Sequence, residues 1–295
     1  MIISCAARLE AYPAGGGRST LSGMSSTPTP ADIAARLDLA RTIGREAGQF
    51  TLRYFQQENF DVERKSDRSP VTVADRGAEK LLRERIQAAY PADGILGEEW
   101  GVVEGSSGIN WILDPIDGTK SFISGVPLYG TMIGIEHGGR SLAGYVYIPG
   151  LDEGVYASAR QGAWHFRGEG QPRRAAVSKK KTLGEGLVVT SQVDTFARRG
   201  AADVFHKLEQ AAYITRTWGD CYGYLLVATG RAEVMIDPML NVWDAAAVQP
   251  IIEEAGGTFT DWQGTPTIHA GEAVATNGLV AEEVLGVARL AQKLS

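Results

Sequence analysis

Trp111-Ile112-Leu113-Asp114-Pro115-Ile116-Asp117-Gly118-Thr119 ends an apolar run on a bend that holds two carboxylates. Taken alone, Asp-Pro-x-Asp-Gly is a turn signal, because Pro presets φ and Asp and Gly suit the bend. Its setting adds chemistry. The apolar strand delivers Asp114 to its C-terminal end, where layered α/β proteins place ligands. The bend then returns Asp117 to the side of Asp114. Two carboxylates so close repel, and one takes up a proton unless a cation sits between them. Oxygen-only donors suit Mg²⁺, with water and a backbone carbonyl such as that of Ile116 completing the shell. Gly118-Thr119-Lys120-Ser121 opens a short helix whose free N–H groups favour a phosphate. The P-loop spacing is absent.

Working outward, apolar residues recur at Ile33, Leu37, Ala40, Ile43, Ala47, Phe50 and Tyr54, the period of an amphipathic helix. A second helix is predicted from Thr72 through Leu81, Leu82 and Ile86 to Tyr90-Pro91. Short strands follow at 94–97 and 110–114. Between 128 and 167, glycine turns separate strands at 129–136, 142–148, 154–159 and 163–166, an antiparallel sheet flanked by helices. The basic, polar stretch Gln171–Thr182 reads as a solvated linker. Beyond it, strands (187–190, 232–236, 258–260, 273–276) alternate with helices (195–212, 222–228, 243–255, 281–294). The organisation expected is a disordered extension over 1–30, an α+β half over 31–170 carrying the acidic motifs, and an α/β half over 183–295.

The chain has 295 residues, 29 Lys+Arg against 35 Asp+Glu, and 36 glycines. A net charge of −6 argues against bulk nucleic-acid binding, which relies on Lys and Arg against phosphates. No apolar run approaches the roughly 18 residues of a membrane-spanning helix. Cys5 and Cys221 are distant, and the four histidines are scattered, so neither a disulfide framework nor a His/Cys zinc site is expected. A reducing cytoplasm is the natural setting.

Further acids stand at the ends of predicted elements. Glu98 and Glu99 follow an apolar stretch, and a surface Glu pair is their plainest explanation. Asp244 precedes an alanine-rich helix and could cap it. Asp75, three residues after Thr72, completes a capping box. With these assembled, the sequence resembles the inositol monophosphatase-like family of Mg²⁺-dependent phosphatases. The resemblance runs from about Asp32 to Leu294 on four ordered motifs. These are Ser69-Pro70-Val71-Thr72-x-Ala74-Asp75, Gly97-Glu98-Glu99, the stretch from Trp111 to Thr119, and Trp243-Asp244-Ala245-Ala246.

The resemblance implies a layered α-β-α-β-α sandwich of the α+β class. It also implies that Glu98, Asp114 and the Ile116 carbonyl hold one Mg²⁺. Asp114, Asp117 and Asp244 would hold a second, with Glu98 reaching a third. Thr119 and Asp75 would orient and deprotonate a water held by the metal, in the manner of two-metal catalysis. The backbone N–H groups of Gly118 and Thr119 would meet the phosphate, and Lys65 lies where the family carries a lysine. Family members commonly form homodimers.

The run Thr217-Trp218-Gly219-Asp220-Cys221-Tyr222-Gly223-Tyr224 bears on the substrate. Asp220 begins a helix and could be its cap. A carboxylate among aromatic rings could also receive a cationic amine or imidazole. This run, with Asp114–Ile123 and Thr260-Asp261-Trp262, resembles the histidinol-phosphate phosphatase branch, where Asp237 aligns with an acidic pocket position. The branch implies hydrolysis of L-histidinol phosphate to L-histidinol and phosphate, a step of histidine biosynthesis. An inositol-1-monophosphatase or another small phosphomonoester or 3′-nucleotide phosphatase stays open, as does a non-catalytic Mg²⁺- and anion-binding scaffold.

Overall fold

The computed structural model describes residues 27–57, 62–64 and 70–290. Residues 1–26 of the expected extension, Cys5 among them, and Lys65 lie outside the described residues. The chain runs α1 (Pro30–Thr51), β1 (Val62–Arg64), β2 (Pro70–Thr72), α2 (Val73–Ala89), β3 (Gly94–Gly97), β4 (Gly101–Val103) and β5 (Ile109–Asp117). It continues through α3 (Thr119–Ile123), β6 (Gly130–His137), β7 (Arg140–Ile148), β8 (Glu153–Ser158), β9 (Gly162–Arg167) and β10 (Arg173–Arg174). Next come β11 (Leu187–Val189), α4 (Asp194–Arg198), α5 (Ala202–Ala211), β12 (Ile214–Arg216), α6 (Asp220–Ala228) and β13 (Val234–Asp237). The last elements are α7 (Val242–Ala246), α8 (Val248–Glu254), β14 (Thr258–Thr260), β15 (Ala273–Thr276) and α9 (Ala281–Ala288).

An eight-stranded sheet has the order β10-β9-β8-β7-β6-β5-β3-β4, and a five-stranded sheet the order β12-β11-β13-β15-β14. Side-chain alternation along the strands reveals what covers each face. On β5, Trp111 and Leu113 pack with Ala40, Ile43, Leu82 and Ile86 of α1 and α2. Ile112 between them packs on the opposite face, with residues of α6, α7 and α8. The same alternation orders the second sheet. Met235, Ala273 and Ala275 face those middle helices, whereas Val234, Ile236 and Val274 pack with Phe196, Leu208 and Val284 of α4, α5 and α9. The layers are therefore α-β-α-β-α, as expected. The middle helices, from the second half of the sequence, complete the core of a sheet built from the first.

Four expected elements change shape. The predicted helix 195–212 divides at Gly200, whose φ of +76° no helix accommodates. The predicted helix 243–255 becomes α7 and α8. Pro250 has no N–H for the Ala246 carbonyl, and that carbonyl instead accepts the Ser141 hydroxyl of β7 at 2.5 Å. Part of the expected linker is an edge strand, with Arg173 opposite His165 and the Arg174 guanidinium 4.5 Å from the Trp164 ring centroid. The closing helix is regular only to Ala288, and residues 291–295 lie outside the described residues. Among the described residues, no helix is long and apolar enough to cross a membrane.

Candidate active site

The bend read at Asp114–Asp117 is a β-bulge inside a continuous strand. Asp114 stands opposite Met132 and Asp117 opposite Gly130, so three steps on β5 match two on β6. In a regular strand, residues three apart point to opposite faces. The extra residue restores parity, so Asp114 and Asp117 emerge on the same side. Pro115 suits this position because a bulged segment lacks the regular ladder, and its carbonyl accepts the Thr131 hydroxyl at 2.9 Å.

Asp244 reaches the same place from the middle layer. It is the third residue of α7, not its N-cap. Asn241 caps the helix, and the Asp244 carboxylate accepts the Asn241 N–H at 2.6 Å. α7 comes this close because the sheet beneath it is bare. A Cβ on Gly134 would lie 2.6 Å from that of Ala246, and one on Gly144 would overlap the Ala247 carbonyl.

Carboxylate oxygens of Asp114, Asp117 and Asp244 lie within 4.8 Å of one another. Asp114 is 2 % exposed. Burial, then the fields of Glu98, Asp117 and Asp244, push its carboxyl well above the ordinary range. Burial, then Asp220 and Asp244, do the same to Asp117. Burial raises Asp244 to about 7 against the Asn241 N–H. Backbone donors are present, from Ile116 N to Asp114 at 3.1 Å and from Cys221 N to Asp117. Among the described residues, no ion pair reaches any of the three. They fit a small hard cation, whose charge removes the repulsion that burial intensifies.

Glu98 follows β3, which runs parallel to β5, and its N–H donates to the Leu113 carbonyl at 3.2 Å. Its charge is among the causes that raise the pKa of Asp75, Asp114 and Asp244, while the group whose carboxylate oxygens lie within 4.8 Å of one another is Asp114, Asp117 and Asp244. Asp75 is the third residue of α2 and completes its capping box. Its carboxylate accepts the Thr72 N–H at 2.8 Å, and burial raises its pKa to about 6 against the Thr72 hydrogen bonds. Gly118 adopts φ +84°, and the Thr119 hydroxyl donates to the Ile116 carbonyl at 3.2 Å. The helix opened here has only five residues. Its dipole is correspondingly small, and it offers single N–H donors more than a field.

Asp220 and Asp237 meet Asp117 and Asp244 around a cavity of about 130 Å³, with Ser191 and Tyr224 also in its wall. Asp220 is not an N-cap. It is the first residue of α6, with φ +50°, and its N–H donates to the Ser191 hydroxyl at 2.8 Å. Its carboxylate lies against Gly118, where a Cβ would stand 2.9 Å from Oδ2. Burial raises its pKa. Asp237 accepts the Ser191 N–H at 3.2 Å and the Tyr224 hydroxyl at 3.0 Å, and burial raises it to about 6.

The aromatic surroundings differ from expectation. Trp218 and Tyr222 stand against Arg216 and Arg231, and Tyr224 is the ring in the cavity wall. Sequence reasoning also missed Ser191, whose only signal is its place just beyond β11. The Cys221 N–H, a backbone donor, leaves no sequence signal.

A profile of the inositol monophosphatase family matches residues 32–293. A histidinol-phosphatase of Chlorobaculum parvum is 41 % identical over 238 residues, covering 81 % of this chain and 90 % of its own. A histidinol-phosphatase of Streptomyces coelicolor is 37 % identical over 254 residues, covering 85 % of this chain and 95 % of its own. Among solved structures, an IMPase of Thermotoga maritima superposes with a TM-score of 0.78 at 28 % identity, covering 88 % of this chain and 99 % of its own.

Proposed function

The chain belongs to the inositol monophosphatase family of phosphatases, and from that premise we propose that it hydrolyses L-histidinol phosphate with Mg²⁺. The observation that carries the chemistry is the convergence of Asp114, Asp117 and Asp244 within 4.8 Å, with no ion pair to them among the described residues. The substrate reading is supported by relatives named histidinol-phosphatase and by Asp220 and Asp237 in the cavity wall. L-Histidinol phosphate bears an ammonium and an imidazole, and these acids would receive them.

The donor set is made of oxygens only, which fits Mg²⁺. Glu98, Asp114 and the Ile116 carbonyl would hold one ion, Asp114, Asp117 and Asp244 a second, and Glu98 a third. When bound, such ions activate the attacking water and stabilise the leaving oxygen. Asp75, with a pKa of about 6, is ionised at neutral pH and would accept the proton of the water that attacks phosphorus. The Thr72 N–H and hydroxyl both donate to that carboxylate and hold it in place, and the Thr119 hydroxyl would orient the water. The Gly118 and Thr119 N–H groups would meet the phosphoryl oxygens. The new bond joins the water oxygen to phosphorus, the ester P–O bond breaks, and the leaving oxygen takes up a proton from solvent, so that L-histidinol departs as the alcohol and the proton held by Asp75 returns to solvent.

Phosphate release by the purified chain tests this. The substrates are L-histidinol phosphate, inositol 1-phosphate, fructose 1,6-bisphosphate and 3′-phosphoadenosine 5′-phosphate, with and without Mg²⁺. The expected result is Mg²⁺-dependent release with the highest kcat/KM on L-histidinol phosphate. A higher kcat/KM on another ester overturns the substrate reading. Release that ignores Mg²⁺ overturns the metal reading. Asp220→Asn is expected to raise KM for L-histidinol phosphate far more than for a neutral-alcohol ester.

A further inference from the structure

α2 carries a second buried carboxylate, one helical turn beyond Asp75. Glu79 is 0 % exposed. Its Oε2 accepts the backbone N–H of Glu99 at 2.7 Å, and its Oε1 accepts that of Trp100 at 3.1 Å. Oε1 also accepts Arg83 Nε at 2.7 Å, and Arg83 Nη2 donates onward to the Gly101 carbonyl. The turn that follows Glu98 is therefore buckled to α2 at three successive residues. On its other side, the Glu98 N–H is fixed to the Leu113 carbonyl, next to Asp114. Gly97 permits the approach, since a Cβ there would overlap the Glu79 carboxylate.

We propose that Glu79 is a positioning residue that sets Glu98 against Asp75 and Asp114, so that α2 fixes the distance from the proton acceptor to the metal-holding acids. The inference rests on the reading of Glu98 as a metal ligand. Asp75 and Glu79 are separated by one turn, about 6 Å along a rigid helix. A displacement of α2 thus carries Asp75 and the Glu98 turn together. A carboxylate has acceptor sites for all three of these donors, whereas a glutamine turns an NH₂ group against one of them.

The test is Mg²⁺ binding by calorimetry, with thermal melting of the metal-free chain, for wild type, Glu79→Gln and Gly97→Ala. Loss of an outer partner of a metal ligand typically weakens affinity by about 10–100-fold. That rise in Kd is expected for Glu79→Gln, exceeding the fall in kcat at saturating Mg²⁺. Gly97→Ala displaces the same carboxylate without removing its charge and is expected to raise Kd likewise. It keeps the question answerable if Glu79→Gln does not fold. In a Glu98→Gln background, Glu79→Gln is expected to add little further loss of affinity. A lowered melting temperature with an unchanged Kd, or full additivity with Glu98→Gln, overturns the inference alone. A wild-type chain that neither binds Mg²⁺ nor releases phosphate overturns the phosphatase reading as well.

Discussion

Two of the regions that bury carboxylates neutralise them in opposite ways. Glu153 on β8 is 0 % exposed and is met by His165 Nε2 at 2.7 Å, Arg167 at 2.8 Å and Arg231 at 2.6 Å. Burial alone would raise its pKa, but those partners outweigh it and hold the carboxyl at about 2. Asp114, Asp117 and Asp244 are met by backbone N–H groups and by one another, and their pKa values rise. The first group is complete as it stands. The second is complete only with a cation or protons supplied from outside. Burial of an acid is common to both, so the partner separates a structural clasp from a functional site.

The largest effect that could break this contrast is on catalysis. Asp117→Asn is expected to lower kcat roughly a hundredfold to a thousandfold, the scale of losing one group that stabilises the transition state, while raising the melting temperature of the metal-free chain by removing a repelling charge. Wild-type turnover in that variant, measured by phosphate release, would remove Asp117 from the site.

Glu153→Gln should show the reverse pattern. Removing one partner of a buried ionic cluster costs about 3 kcal/mol, and turnover per folded molecule should be unchanged. Urea unfolding gives the first quantity and active-fraction kinetics the second. Unchanged stability would mean that the clasp is as replaceable as an exposed ion pair.

A smaller effect sharpens the contrast through pH. Asp244 rises from an ordinary 3.8 to about 7, so its protonated form stabilises the fold below pH 3.8 and that stability is withdrawn as pH climbs through 7. Glu153 falls from an ordinary 4.5 to about 2, so its contribution is present above pH 4.5 and is lost as pH drops through 2. Scanning calorimetry of the metal-free chain should therefore show greatest stability near pH 4–5, declining towards pH 8. Saturating Mg²⁺ should lift the neutral side, by about 2.7 kcal/mol at a hundredfold excess over Kd. A decline that Mg²⁺ leaves untouched would place the titrating acids away from any cation.

The two regions also differ in how far the sequence reveals them. Asp114 and Asp117 are close in sequence, and the strand before them points them out. The period of Ile33 to Ala47 gives α1 on the same local logic. Asp244 and Glu98 enter through the family resemblance, because their approach to Asp114 is tertiary. The clasp escapes a sequence reading altogether. Arg167 and Arg231 lie far apart in the chain, and nothing in either neighbourhood marks a shared carboxylate. Glu79 escapes because one more Glu on an amphipathic helix looks like solvated surface. The break between α7 and α8 has a signal in Pro250, which the helix expected over 243–255 runs straight through, and its use, a carbonyl freed for Ser141, requires the sheet beneath.

The bulge in β5 makes the site depend on a count of residues more than on their chemistry. Deleting one residue between Asp114 and Asp117 would keep both acids and the strand, yet would turn Asp117 to the far face of the sheet. A single-residue deletion or insertion at this point would thus be rejected, because it changes that count, whereas a substitution keeps it. A lineage could replace Ile116 by another apolar residue freely and still be unable to lose it.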